Sequence, residues 1–61
     1  MGQVYESVEY QVQEASGWTT MQYGSHSTDQ EVRLRLDSME RSYPDRRVRA
    51  YAQGEGIIDL R

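Results

Sequence analysis

Apolar and polar positions alternate from Val4 to Glu14. Val4, Val8, Tyr10 and Val12 share even parity, with Glu6 as the one interruption, and Gln3, Ser7, Glu9, Gln11 and Gln13 take the odd positions. A period of two is that of a half-buried strand, so a strand is expected over about 3–14. Ala15-Ser16-Gly17 is turn chemistry, and Trp18 to Tyr23 supplies good strand formers around Met21, which predicts a second strand over about 18–24 and a hairpin. The buried face of that strand is ambiguous, because Met21 and Tyr23 have one parity and Trp18 and Thr20 the other. A bulge would turn both aromatics inward.

The period then changes. At about 100° per residue, Val32, Leu36, Met39 and Tyr43 fall within about 60° of one another, and Leu34 lies on the opposite side with Asp37, Ser38 and Arg41. This predicts a helix over about 28–43, entered through a Gly24-Ser25-His26-Ser27 loop. Thr28 and Glu31 have the spacing of a capping box, the hydroxyl accepting from the third helical amide and the carboxylate reaching back to the cap amide. Asp29 and Glu31 suit the positive end of the helix dipole and Arg41 the negative end. Glu31–Arg35, Arg33–Asp37 and Asp37–Arg41 are expected i,i+4 pairs, and Pro44 disfavours helical geometry at Tyr43.

Alternation resumes after Asp45. A strand is expected over about 46–53, with Val48, Ala50 and Ala52 on one face and Arg47, Arg49 and Tyr51 on the other. Gly54-Glu55-Gly56 is a hairpin connection. A last strand over 57–61 places Ile58 and Leu60 on one side and Ile57, Asp59 and Arg61 on the other. The expected architecture is a single α+β domain over 1–61 with the order ββαββ, one helix packed on one face of a four-stranded, largely antiparallel sheet. One helix covers one face only. The open face is expected to carry Arg47, Arg49, Tyr51, Ile57 and Asp59, with Tyr5 or Trp18 nearby; a simply solvated polar face is the competing reading.

Size sharpens this picture. A chain of 61 residues buries only about 60% of its unfolded surface, and with no cysteine for a disulfide or zinc site a homodimer is the remaining expected support. The start of the chain has no basic n-region or apolar core, and no long apolar run follows, so a cytoplasmic protein without a membrane span is expected. Met1-Gly2 begins like a myristoylation signal, but Glu6 stands where that motif needs Ser or Thr. The net charge of −3 is uneven. Residues 1–25 hold three acids and no base, whereas residues 26–61 hold seven acids and seven arginines. Arginine as the only base favours bidentate and stacked interface contacts, although the joint absence of Lys, Asn and Phe leans toward a GC-rich coding sequence as its explanation.

Candidate chemistry is sparse. Ser25 or Ser27, His26 and Asp29 contain the residue types of a triad, but neighbours on one short segment rarely converge on triad geometry. Glu6, Glu9 and Glu14 are too dispersed for a calcium loop, and Gly54 and Gly56 join two strands rather than cradling phosphate at a helix. No enzyme, metal or cofactor is expected. Arg46-Arg47-Val48-Arg49-Ala50-Tyr51 is the one basic cluster, and Arg alternating with Tyr on an open sheet suits single-stranded nucleic acid. The acidic balance of the chain and the lack of a basic arm argue against it. An open face with Tyr51 and Ile57, together with Leu34 on the helix back, points to a partner protein. The expected contact residues are Arg47, Arg49 and Tyr51 on the sheet and Leu34 and Arg41 on the helix.

The capped helix closed by SMERSYP, followed by RRVRAY, a glycine turn and IIDL, resembles small uncharacterised accessory proteins of bacteriophages and prophages over residues 18–61. That resemblance implies a stoichiometric inhibitor of a host protein, defence nucleases included, and carries over no site residues. Many such inhibitors are acidic DNA mimics, a class that seven arginines and a charge of −3 do not suggest. The leading expectation is a non-enzymatic protein-interaction module, a phage-encoded inhibitor of a host defence protein. A single-stranded nucleic-acid binder comes second and a structural or assembly protein third.

Overall fold

The computed structural model describes residues 3–61; Met1 and Gly2, on which the myristoylation reading fell, lie outside the described residues. Four strands and one helix follow in the order β1 (Val4–Glu14), β2 (Gly17–Thr28), α1 (Asp29–Ser42), β3 (Val48–Ala52) and β4 (Gly56–Leu60). All neighbours in the sheet are antiparallel, in the spatial order β2-β1-β3-β4. This is the expected ββαββ architecture. β1 and β3 form the centre, and α1 carries the chain from the β2 edge to the far side of β1.

The helix covers the even-parity face. Val8, Tyr10 and Val12 of β1, Val48, Ala50 and Ala52 of β3, and Val32, Leu36 and Met39 of α1 form the buried core, with Tyr5, Tyr43 and Ile58 packed against its margin. Thr28 caps α1 in extended geometry, its Oγ1 accepting from the Glu31 amide at 3.2 Å. The Glu31 carboxylate accepts from the same hydroxyl at 3.4 Å. Tyr43, the residue before Pro44, ends the helix and donates its amide to the Met39 carbonyl.

Three irregularities correct the simple alternation. The first is in β2, which runs through to Thr28, so that Gly24–Ser27 is strand rather than loop and pairs with Tyr5–Val8. The turn-like composition yields there to a long β1 that offers backbone partners. His26 adopts a left-handed φ of 52° within this stretch, and parity in β1 inverts opposite it. Tyr5 turns to the helix side, where its hydroxyl donates to Asp29 at 2.9 Å, while Val4 is left exposed.

The second is a bulge at Met21. Trp18 pairs with Gln13 and Tyr23 with Glu9, so both aromatics share a face, as a bulge would require, but it is the open face and not the core. The third is a bulge at Ile58, because Tyr51 pairs with Ile57 and Ala50 with Asp59. Leu60 is thereby moved beside Arg49 on the open face, and Asp59 and Arg61 move to the helix side. Arg61 there meets Asp37, Glu40 and Asp59. The expected i,i+4 pairs are replaced by such contacts between elements: Asp37 serves Arg61, and Arg35 donates to Gln22 of β2 at 2.8 Å and lies over the Tyr10 ring.

Candidate protein-interaction surface

With the helix on the other side, the odd positions of β1 and β3 and their neighbours in β2 and β4 form an uncovered face. Two cross-strand rows compose its centre: Thr20, Gln11, Arg49 and Leu60 in one, and Tyr23, Glu9, Tyr51 and Ile57 in the other. Each row passes through all four strands. The first is tied by hydrogen bonds, Arg49 Nε donating to Gln11 Oε1 at 2.6 Å and Gln11 Nε2 to Thr20 Oγ1 at 3.1 Å. Thr20 then donates to Glu9 Oε1 at 2.8 Å, which joins the two rows. The Arg49 guanidinium also lies over the Trp18 ring, 4.2 Å from its centroid.

The face therefore has an ordered polar middle and apolar ends. Tyr23 at one end is 72% exposed, and Ile57 and Leu60 at the other are each 45% exposed. Arg49, Tyr51, Trp18 and Thr20 are half-buried. Their positions are fixed by neighbours on the sheet, not by the core. The charges of Glu9 and Arg49 oppose one another, so the middle of the face has no excess of either sign.

The five expected contact residues fall on two separate surfaces. Arg49 and Tyr51 are at the centre of the open face. Arg47 precedes β3 at its margin, where its Nε donates to the Arg61 carbonyl at 3.4 Å. Leu34, 59% exposed, and Arg41 lie on the outer side of the helix, away from the sheet. Leu34 lines a shallow depression there with Gln30, Arg33 and Asp37. Asp59 and Tyr5, placed with the open face by parity or proximity, belong to the helix side.

Trp18, expected near this face, belongs to it, Leu60 joins it although parity assigned it to the other side, and Gln11 and Glu9 supply its order. The bulges that bring Trp18 and Leu60 there leave no mark in composition, because the residues on either side are acceptable on both faces of a strand. The triad residue types diverge: Ser27 is buried, His26 is exposed, and Asp29 accepts the Tyr5 hydroxyl. That hydrogen bond, then burial, then the charges of Asp29 and Glu55 raise the Tyr5 pKa. The Arg61 pKa is likewise raised, chiefly by its hydrogen bonds to Asp37 and Glu40.

Among the described residues, no three His, Cys, Asp or Glu side chains are grouped so as to hold a metal ion, and no helix is long and apolar enough to cross a membrane. Comparison with protein-family models, curated proteins and solved structures finds no match to this chain.

Proposed function

We propose that the chain is a non-enzymatic protein-interaction module whose contact surface is the open face of its sheet. The observation that carries this reading is the Arg49–Trp18 stack, held by Gln11 beside Tyr51 and flanked by exposed Tyr23, Ile57 and Leu60. Trp, Tyr and Arg are the residues that most often dominate binding energy at protein interfaces. An arginine ordered before the partner arrives loses less side-chain freedom on binding. The balanced charge of Glu9 and Arg49 fits a partner surface of mixed polarity better than a polyanion.

Trp18, Arg49 and Tyr51 are the principal contacts, with Arg47 at the margin; Leu34 and Arg41 offer a second, independent surface. The resemblance over residues 18–61 supports the finer reading of a phage-encoded cytoplasmic inhibitor, acting by stoichiometric occupation of a host defence protein. A photo-crosslinking residue at position 51, introduced in bacterial cells, is expected to trap one protein in a one-to-one adduct. No adduct from position 51, or an adduct from position 34 alone, contradicts the assignment.

Single-stranded nucleic acid is the second reading, favoured by three aromatics, Trp18, Tyr23 and Tyr51, on one face with Arg47 and Arg49. Glu9 between the rings and the engagement of Arg49 by Gln11 weigh against it. A mobility-shift assay at low salt separates the two. Binding that falls steeply with salt and is lost in Arg47→Ala/Arg49→Ala establishes nucleic acid; absence of a shift removes it.

A further inference from the structure

The two edges of the sheet are built differently. β4 is short, bulged at Ile58, carries Asp59, and is flanked by Glu55 and Arg61. Charges, bulges and short length are the usual means by which edge strands avoid pairing with other chains. β2 is twelve residues long and has no Asp, Glu, Lys, Arg or Pro. Indeed none of these residues occurs from Ala15 to Thr28, in a chain of which 28% is charged. The Met21 bulge and the left-handed His26 bound the stretch Gln22–Ser25, which lies between them as regular strand.

We propose that β2 pairs antiparallel with β2 of a second copy of this chain about a two-fold axis close to Tyr23, forming one continuous eight-stranded sheet. A second copy is favoured because two-fold pairing sets a strand against itself. Any charge near the axis would meet its own like, and β2 has none. The axis stands perpendicular to the sheet, so both helices lie on one side and both open faces on the other. Residues of like parity then oppose one another, and Tyr23 meets the partner's Tyr23 as an aromatic cross-strand pair. The backbone groups on the outer side of β2 gain partners, and Tyr23, 72% exposed in the single chain, is covered. The row Tyr23–Glu9–Tyr51–Ile57 becomes continuous through both copies. A chain with a small core and no cysteine gains the support it otherwise lacks.

Sedimentation equilibrium tests this. The protein is expected at about twice its 7.1 kDa chain mass. Tyr23→Lys/Ser25→Lys, which places four positive charges around the axis at exposed positions, is expected to reduce it to the single-chain mass with its circular dichroism unchanged. Ile57→Lys/Leu60→Lys at the opposite edge and Leu34→Lys on the helix back are expected to remain dimeric. A second readout is independent of any variant: amide exchange in β2 slows as concentration rises, and exchange in β4 does not. A wild-type protein that stays at 7.1 kDa at high micromolar concentration overturns the proposal. So does a dimer dissociated by the β4 or helix variants but not by the β2 variant, or concentration-dependent protection confined to β4.

Discussion

The Arg49 guanidinium lies 4.2 Å from the centroid of the Trp18 ring, and its Nε is bonded to Gln11 at the same time. The two residues are far apart in sequence and on strands that are not neighbours, β3 and β2. The arginine reaches across β1, which lies between them and whose Gln11 accepts from its Nε. The open face is thus organised without burial.

The stack should be measurable by itself. A double-mutant cycle on Trp18→Ala and Arg49→Ala, followed by urea denaturation, is expected to give a coupling of about 0.5–1 kcal/mol, the range of a solvent-accessible cation–π pair. Arg49→Lys should recover little of it, since an ammonium cannot lie flat on the ring while donating sideways to Gln11. Additive effects would show that the contact contributes nothing.

Tyr10 offers a prediction of opposite sign to the usual one. Its ring fills the core, yet its hydroxyl is buried without a hydrogen-bond partner among the described residues. Tyr10→Phe removes a polar group that folding desolvates without compensation. Stability in denaturant is expected to stay level or rise by about 1 kcal/mol. Gly24→Ala should do the reverse, because a Cβ there would stand 2.6 Å from Ser27 Oγ and 3.1 Å from Tyr10 Cε2. A loss of about 1–3 kcal/mol is expected for such crowding.

Alkaline pH should weaken the fold partly through Tyr5. Its phenol donates to the Asp29 carboxylate, and that bond, with burial and the charges of Asp29 and Glu55, raises its pKa above the ordinary 10.0. A pKa higher in the folded than in the unfolded chain contributes stability in full below pH of about 10, and that contribution is lost as pH climbs through the folded value. Thermal unfolding from pH 8 to 11 is expected to fall more steeply for the wild type than for Tyr5→Phe. Parallel curves would contradict the role given to this hydroxyl.

Arg61 ties β4 to the helix. Its guanidinium reaches Glu40 at 2.8 Å and Asp59 at 3.3 Å and also meets Asp37. Arg61→Ala is expected to cost about 1 kcal/mol, the upper end for pairs with access to solvent. The loss should shrink as salt is raised toward 1 M, since the contacts are screened. A salt-independent effect would place the role of Arg61 in packing and not in charge.

Element order and helix ends were legible because several signals coincide there: the period of Val32, Leu36 and Met39, the Thr28 cap and the stop at Pro44. The central strands were legible for a similar reason, with Val8, Tyr10 and Val12 matched by Val48, Ala50 and Ala52 across the sheet. What escaped lies at places where one backbone torsion or one extra residue decides the outcome. Across from His26, which takes a positive φ, Tyr5 lies inward and Val4 outward, and the extra residues Met21 and Ile58 put Trp18 on the same face as Tyr23 and carry Leu60 and Asp59 to faces that strict alternation assigns otherwise. Histidine is tolerated in the left-handed region more than most residues, which is a faint signal at best. The charge pairs of the helix were misplaced for a different reason. Asp37 and Arg35 have partners on other elements, and a helical spacing rule sees only its own helix.

The most direct measurement is the affinity of the trapped partner for two pairs of variants, one on each surface. Trp18→Ala/Tyr51→Ala is expected to weaken binding by at least about 30-fold, the loss of two interface anchors worth more than 1 kcal/mol each, and Leu34→Ala/Arg41→Ala to leave it within about twofold, a few tenths of a kcal/mol. Full affinity in the sheet variant, with loss in the helix variant, would contradict the assignment of the open face as the binding surface.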